Sequence, residues 1–290
     1  MSRVVLTAAL GSRKYIQQAL GLARSLSLIG DGTPRVVISD SDDLELRRWF
    51  ASVVPPNSEV STYLQKLQGL EVCDADEFLF IDSDSLVFRK LDSVWEGCQG
   101  AAVAVQGEWI RDGHWYGYLD KSLPHLGLDA LPMFNGGMIY YRRCSETLAI
   151  FEEAHRIGEN YDATGLERFR GVVPDEPCLA VAMARTGLGT LLPDRQDYMN
   201  TPVGLVGHLD ISVARGTCRF LKHGRHGLRL VEPTILHAGK YVNNRAYWRE
   251  LDRLEWLAHY AERHGYGYMS FTHKLRRSVE RRILKLTGRI

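Results

Sequence analysis

Short β-branched runs alternate with segments of helical periodicity along this chain, and that alternation restricts the fold more than any other feature. Residues 4–9 (VVLTAA) read as a buried strand. Past Gly11, the residues Tyr15, Ile16, Ala19, Leu20, Ala23, Leu26 and Ile29 recur at helical spacing and stop at Gly30. Residues 35–39 (RVVIS) predict a second strand, followed by a helix around 42–50 and a turn at Pro55-Pro56-Asn57. A helix over 62–73 leads into a strand at 78–81. Further strands are expected at 101–106 and 138–141, and helices at 146–157 and 177–186. Strands separated by helices imply a mostly parallel, doubly wound α/β sheet flanked by helices. The length of 290 residues suffices for one large domain of this kind, placed at 1–268.

In such sheets ligands bind beyond the carboxyl ends of the strands. The stretch EFLFIDSDSLVF puts Asp82, Ser83 and Asp84 at one such end, between two apolar blocks. Two carboxylates two residues apart can face one point if the chain turns there, and as hard oxygen ligands they suit Mg2+ or Mn2+. From the pair alone a solvated Asp/Ser turn is an equal reading; the apolar run that resumes at Leu86 weighs against it. A second acidic pair, Asp175-Glu176, stands before Pro177 and an apolar segment, where helix-start electrostatics would explain it. Residues 107–132 are aromatic, Gly-rich and aperiodic, which predicts a long irregular loop. Its Trp109, Trp115, Tyr116 and Tyr118 form either a stacking platform for an acceptor or a mini-core under the loop.

Composition excludes several classes. The five cysteines are odd in number, scattered and without a CxxC pair, against a disulfide framework or zinc site. The N-terminal stretch has too short an apolar run for a signal peptide, and no window reaches a membrane span. A cytoplasmic protein is therefore expected. The net charge of +1 conceals an asymmetry: the last twenty residues carry seven Lys or Arg against Glu280, leaving −5 for the rest. A mildly acidic body argues against nucleic acid as a partner. Within 269–290, the residues Leu275, Val279, Ile283, Leu286 and Ile290 recur at helical steps among the basic residues. This pattern fits a helix lying on an anionic membrane surface, peripheral on its inner face, or one packing on the domain.

The segment FLFIDSDSLVF resembles the Asp-x-Asp segment of nucleotide-sugar-dependent glycosyltransferases of the GT-A fold, nearest to the glycogenin and family 8 enzymes. Other segments resemble that family in the same order: LTAALGSRKYIQQALGLARSL, YLQKLQGLEVCDADEFLFIDSD with Lys66 ahead of Asp82, FNGGMIYY and ILHAGKY. Together they span most of residues 4–241.

The resemblance implies a divalent ion, Mn2+ or Mg2+, held by Asp82, Asp84 and His237. It implies donor contacts from Lys66, Ser83, Asn135, Gly136, Gly239 and Lys240, with Thr7 and Tyr15 near the nucleoside. Asp175 and Glu176 would lie beside the reacting sugar carbon, although Glu176 stands where the family usually carries Gln. Taken singly, His237, Lys66, Asn135 and Tyr15 also read as a core histidine, a solvated lysine, a turn residue and a core aromatic. The implied activity is transfer of a sugar, with retention, from a nucleoside-diphosphate sugar (UDP favoured) to a glycan or lipid-linked acceptor. The family's Asp or Asn after the first strand is missing here, and the late histidine motif is shorter. Competing readings are a non-catalytic nucleotide-sugar or carbohydrate binder and a haloacid-dehalogenase-like phosphatase, whose acidic motif would stand nearer the start of the fold. A nucleotidyltransferase would carry a phosphate loop of which LGSRK is a faint echo.

Overall fold

The computed structural model describes residues 1–59 and 64–263. The expected tail helix at 269–290, and the start of the helix expected at 62–73, lie outside them. The chain runs β1 (Arg3–Ala9), α1 (Arg13–Leu28), β2 (Arg35–Ser39), α2 (Leu44–Trp49), β3 (Ser52–Val54) and α3 (Gly69–Val72). It continues with β4 (Glu77–Ile81), β5 (Ser85–Val87), α4 (Asp92–Gly97), β6 (Val103–Ile110), α5 (Leu119–Leu126) and β7 (Leu131–Arg142). Then come α6 (Ser145–Glu159), α7 (Asp175–Thr186), β8 (Gly189–Pro193) and β9 (Met199–Asn200). Last are β10 (Leu205–Ser212), β11 (Thr217–Gly224), β12 (Gly227–Val231), β13 (Ile235–His237) and α8 (Arg245–Arg263). None of the described helices is long and apolar enough to cross a membrane.

Two compact units share these elements. The first comprises Met1–Ser12, Thr33–Asp82 and Val94–Gln196. Its seven-stranded sheet has the order β3-β2-β1-β4-β7-β6-β8. Only β7 runs against the others, so the sheet is mostly parallel as expected. The β4 strand is buried at every residue, which is why residues 78–81 are continuously apolar rather than alternating, while Glu77 at its start is paired with Arg3 and Tyr140. Phe78, Phe80, Val105, Ile139 and Tyr141 pack with Ile150 and Phe151 of α6 and Leu179 of α7 on one face. On the other, Tyr140 meets Trp95 of α4 edge-on. Helices therefore cover both faces.

The second unit comprises Arg13–Gly32, Ser83–Ser93 and Asp197–Ile290. It holds two three-stranded sheets, β10-β11-β12 and β5-β13-β9. Leu86, Phe88, Ile211, Phe220 and Leu236 pack there with Tyr247, Leu251 and Leu254 of α8.

Two expectations are corrected. Residues 107–132 are not an irregular loop. The β6 strand continues through Gly107 to Ile110, pairing with Phe134 back to Leu131 after a register shift, and α5 occupies Leu119–Leu126. Gly107 makes the continuation possible, because a Cβ there would run into the Met133 carbonyl. The single helix expected to end at Cys73 is instead a 3-10 turn, Leu64–Leu67, followed by the one-turn α3. The Lys66 carbonyl accepts from the Tyr141 hydroxyl at 3.1 Å, and this tertiary bond competes with continuation of the helix.

Candidate active site

The carboxyl end of β4 organises the first unit's polar cluster. The Asp82 N–H donates to the Gly137 carbonyl at 3.0 Å, prolonging the β4–β7 ladder by one step. On the other side of β7 the register with β6 jumps between Val105 and Gly107, so residues 135–138 bulge out of that pairing. Gly136 is thereby free to use both backbone groups on side chains. Its N–H donates to Glu176 Oε1 at 2.7 Å, and its carbonyl accepts from Lys66 Nζ at 3.1 Å. A Cβ at Gly136 would lie 2.6 Å from Asp175 Oδ2, 3.1 Å from Glu176 Cγ and 3.2 Å from Lys66 Nζ. Only glycine admits this close approach.

Lys66 is buried at the centre of the cluster. Its ammonium lies 2.8 Å from Asp175 Oδ2 and 3.2 Å from Asp82 Oδ1. Its ammonium also donates to the Gly136 carbonyl at 3.1 Å. Burial pulls its pKa down, but Asp175 and Asp82 more than reverse this, leaving the group charged well above the usual lysine range. Asp175 and Glu176 open α7, where the positive helix end favours acids. Burial and then the Asp175 charge push the Glu176 carboxyl up to about 7, while Gly136, Lys66 and the Tyr116 hydroxyl pull the other way.

In the second unit, β5 follows directly on Asp84 and pairs antiparallel with β13, setting His237 opposite Ser85. The Asp84 carbonyl accepts the Ala238 N–H at 3.1 Å, and Asp84 Oδ1 lies 3.2 Å from His237 Nε2. Ser83 is the one residue between the two acids. Within the second unit Asp84 and His237 each offer a ligand atom, and Asp82 precedes Asp84 by two residues in the chain. Two carboxylates and an imidazole fit Mn2+, and Mg2+ less well because it prefers an all-oxygen shell.

The other expected residues are more dispersed. Asn135 turns its side chain back to accept the Gly137 N–H at 3.0 Å. Thr7 is fully buried in β1, and Tyr15 is 46% exposed on α1. Gly239 adopts a left-handed φ of 52° beside His237, and Lys240 is exposed with its ammonium over the Tyr241 ring. The four aromatic residues divide. Trp109 and Tyr118 are more than half exposed, whereas Trp115 and Tyr116 pack against the core. The Tyr116 hydroxyl donates to Glu176 Oε2 at 2.9 Å, a contact between residues sixty positions apart that no local pattern announces. Asp40 was also missed. Its carboxylate, just past the end of β2, accepts the Gly11 N–H at 3.0 Å.

No protein-family model matches the sequence, and no curated protein matches it either. Among solved structures, the galactosyltransferase LgtC, in complex with donor and acceptor sugar analogs, is similar over 87% of this chain and 94% of its own, with 16% identity and a TM-score of 0.55. A glutamine-to-glutamate active-site mutant of LgtC is similar over 87% and 95%, with 15% identity and a TM-score of 0.53. The glycosyltransferase GlyE of Streptococcus pneumoniae TIGR4 overlaps 69% of this chain at 15% identity and a TM-score of 0.47, and the chain spans about half of its length (47%). From the strand order, the acidic end of β4 and the match to LgtC over nearly its whole length, this chain has the GT-A fold of the LgtC and glycogenin type.

Proposed function

We propose that this chain is a metal-dependent glycosyltransferase that moves a sugar from a nucleoside-diphosphate donor, UDP-linked by preference, with retention of configuration. The observation that supports this reading is the pairing of Asp84 with His237 at 3.2 Å, two residues after Asp82 at the end of β4. Asp82, Asp84 and His237 would hold a divalent ion, Mn2+ favoured. When bound, that ion supplies positive charge for the departing diphosphate without proton transfer.

The chain's own residues divide the remaining work. Lys66, with its ammonium beside Asp82, Asp175 and Gly136, adds positive charge on the donor side of the site. It holds Asp82 and Asp175 in fixed positions and neutralises part of their charge. Asp175 and Glu176 present carboxylates suited to a sugar carbon that gains positive character in the transition state. Lys240, exposed with its ammonium over the Tyr241 ring, would meet diphosphate oxygens. Ser83, Asn135, Gly136 and Gly239 line the donor on this reading, with Thr7 and Tyr15 on the nucleoside side. Trp109 and Tyr118, the exposed aromatics, are the candidates for acceptor stacking, and Trp115 and Tyr116 support the cluster from below.

A glycan is the expected acceptor. A lipid-linked one gains weight only if the basic segment 269–290 binds anionic membranes, which would place a cytoplasmic enzyme on the inner face. Co-sedimentation with phosphatidylserine vesicles tests that, comparing the full chain with one ending at residue 268. Equal binding removes the membrane. The donor is tested by a thermal-shift screen of UDP- and GDP-sugars with and without Mn2+, in which Mn2+-dependent stabilisation by one donor supports the reading. Stabilisation without turnover would favour a non-catalytic binder. The phosphatase alternative is disfavoured by the fold, whose acidic motif follows β4 rather than the first strand.

A further inference from the structure

We propose that Tyr116 is a positioning residue that fixes the Glu176 carboxylate from the aromatic segment between β6 and α5. The inference rests on the glycosyl-transfer reading and extends it to a residue whose expected role was acceptor stacking. Glu176 is gripped at both oxygens: Gly136 N–H donates to Oε1 at 2.7 Å and the Tyr116 hydroxyl to Oε2 at 2.9 Å. The phenol is a dependable donor, because burial and the Glu176 charge push its pKa well above the ordinary tyrosine value.

Tyr116 is itself held in place. Its φ of 50° is left-handed, a conformation bulky side chains rarely adopt and that costs about 1–3 kcal/mol. The Tyr116 carbonyl accepts the Glu167 N–H at 2.8 Å, and the adjacent Trp115 N–H donates to the Gly117 carbonyl at 2.9 Å. The Trp115 ring stands edge-on to Tyr116 at 5.2 Å and tilted toward Phe134 at 6.3 Å. The groups facing Glu176 are then Asp175 on its own helix, Lys66 from the 3-10 turn, Gly136 from β7 and Tyr116. Of these, Tyr116 alone is a side-chain hydroxyl, removable without altering charge.

The test is Tyr116→Phe in the full chain, assayed for Mn2+-supported turnover of the UDP- or GDP-sugar selected by the thermal-shift screen. Misplacing Glu176 should lower kcat by roughly tenfold to a hundredfold while donor KM stays within about twofold. The acidic limb of the pH–rate profile should move to higher pH, because the lost hydrogen bond favoured the carboxylate. Tyr116→Phe added to Glu176→Gln should cost nothing further, since Tyr116 acts only through the Glu176 carboxylate. Wild-type kcat and pH profile in Tyr116→Phe would overturn the proposal, as would losses that multiply in the double variant. Melting temperature against pH gives a readout independent of turnover. If no donor turns over but Tyr116→Phe still displaces that curve, the transfer reading fails and the grip on Glu176 stands. If turnover occurs and neither curve moves, the grip fails alone.

Discussion

Lys66 and Asp175 form a buried ion pair of 2.8 Å, and the same ammonium lies 3.2 Å from Asp82. One cation therefore joins the acid at the end of β4 to the acid at the start of α7. Lys66→Met would leave both carboxylates facing each other without compensation. We expect it to destabilise the fold by roughly 3 kcal/mol, measured by urea unfolding, because removing one member of a buried pair strands the other. Lys66→Met combined with Asp175→Asn should recover part of that loss.

Gly136→Ala tests the packing of the same cluster. The new methyl would meet Asp175, Glu176 and Lys66, all anchored by hydrogen bonds or ion pairs and unable to retreat far. The expected cost is about 1–3 kcal/mol in unfolding free energy, typical of overpacking, together with loss of donor turnover. Gly136 is not among the glycines with a left-handed φ, so the clash rather than backbone strain accounts for this cost.

Glu176 sets a pH dependence. Its carboxyl is raised from 4.5 to about 7, so the folded protein holds a proton that the unfolded chain releases between those values. The associated stability is full below about pH 4.5 and lost as pH rises through 7. Wild type and Glu176→Gln should diverge over that window by on the order of 2 kcal/mol, discounted for the residual exposure of the site. Calorimetric melting from pH 4.5 to 8 checks it, and parallel curves for the two proteins would refute it.

The parts of this site that are local in sequence are the parts that could be read from it. Asp82 and Asp84 stand two residues apart after five buried residues, so the strand end and the acids share one short string. Asp175 and Glu176 precede an apolar helix in the same way. The first two strands were legible because β-branched runs flanked by glycine and proline leave little choice. Lys66 was legible only through a family resemblance, since its ion pairs join residues 16 and 109 positions away. The Tyr116 contact was not legible, because nothing in GHWYGY shows that its hydroxyl reaches α7. Residues 107–132 hide their order for a related reason. Gly107 and Gly127 look like loop punctuation, yet one sustains a register shift and the other caps a helix. The β10–β12 meander escaped notice because its β12 pattern is inverted, with Leu228 and Leu230 exposed and the alternating Arg229 half-buried against Asp197.

His237→Ala tests the second unit's contribution. Asp84 loses its imidazole neighbour at 3.2 Å, while the β5–β13 backbone pairing stays intact. The fold should survive, with unfolding free energy within about 1 kcal/mol of wild type, because the side chain is at the rim of the core. Mn2+ affinity, read by isothermal titration, should fall by about tenfold or more with one ligand of three removed.

The most direct measurement is release of nucleoside diphosphate from a panel of UDP- and GDP-sugars, titrated with Mn2+, for wild type and Asp84→Asn. Wild type should turn over one donor in a Mn2+-dependent manner that EDTA abolishes, and folded Asp84→Asn should release nothing above background. Equal turnover by the two proteins, or wild-type turnover indifferent to EDTA, would contradict the assignment of Asp82, Asp84 and His237 as the metal-holding centre.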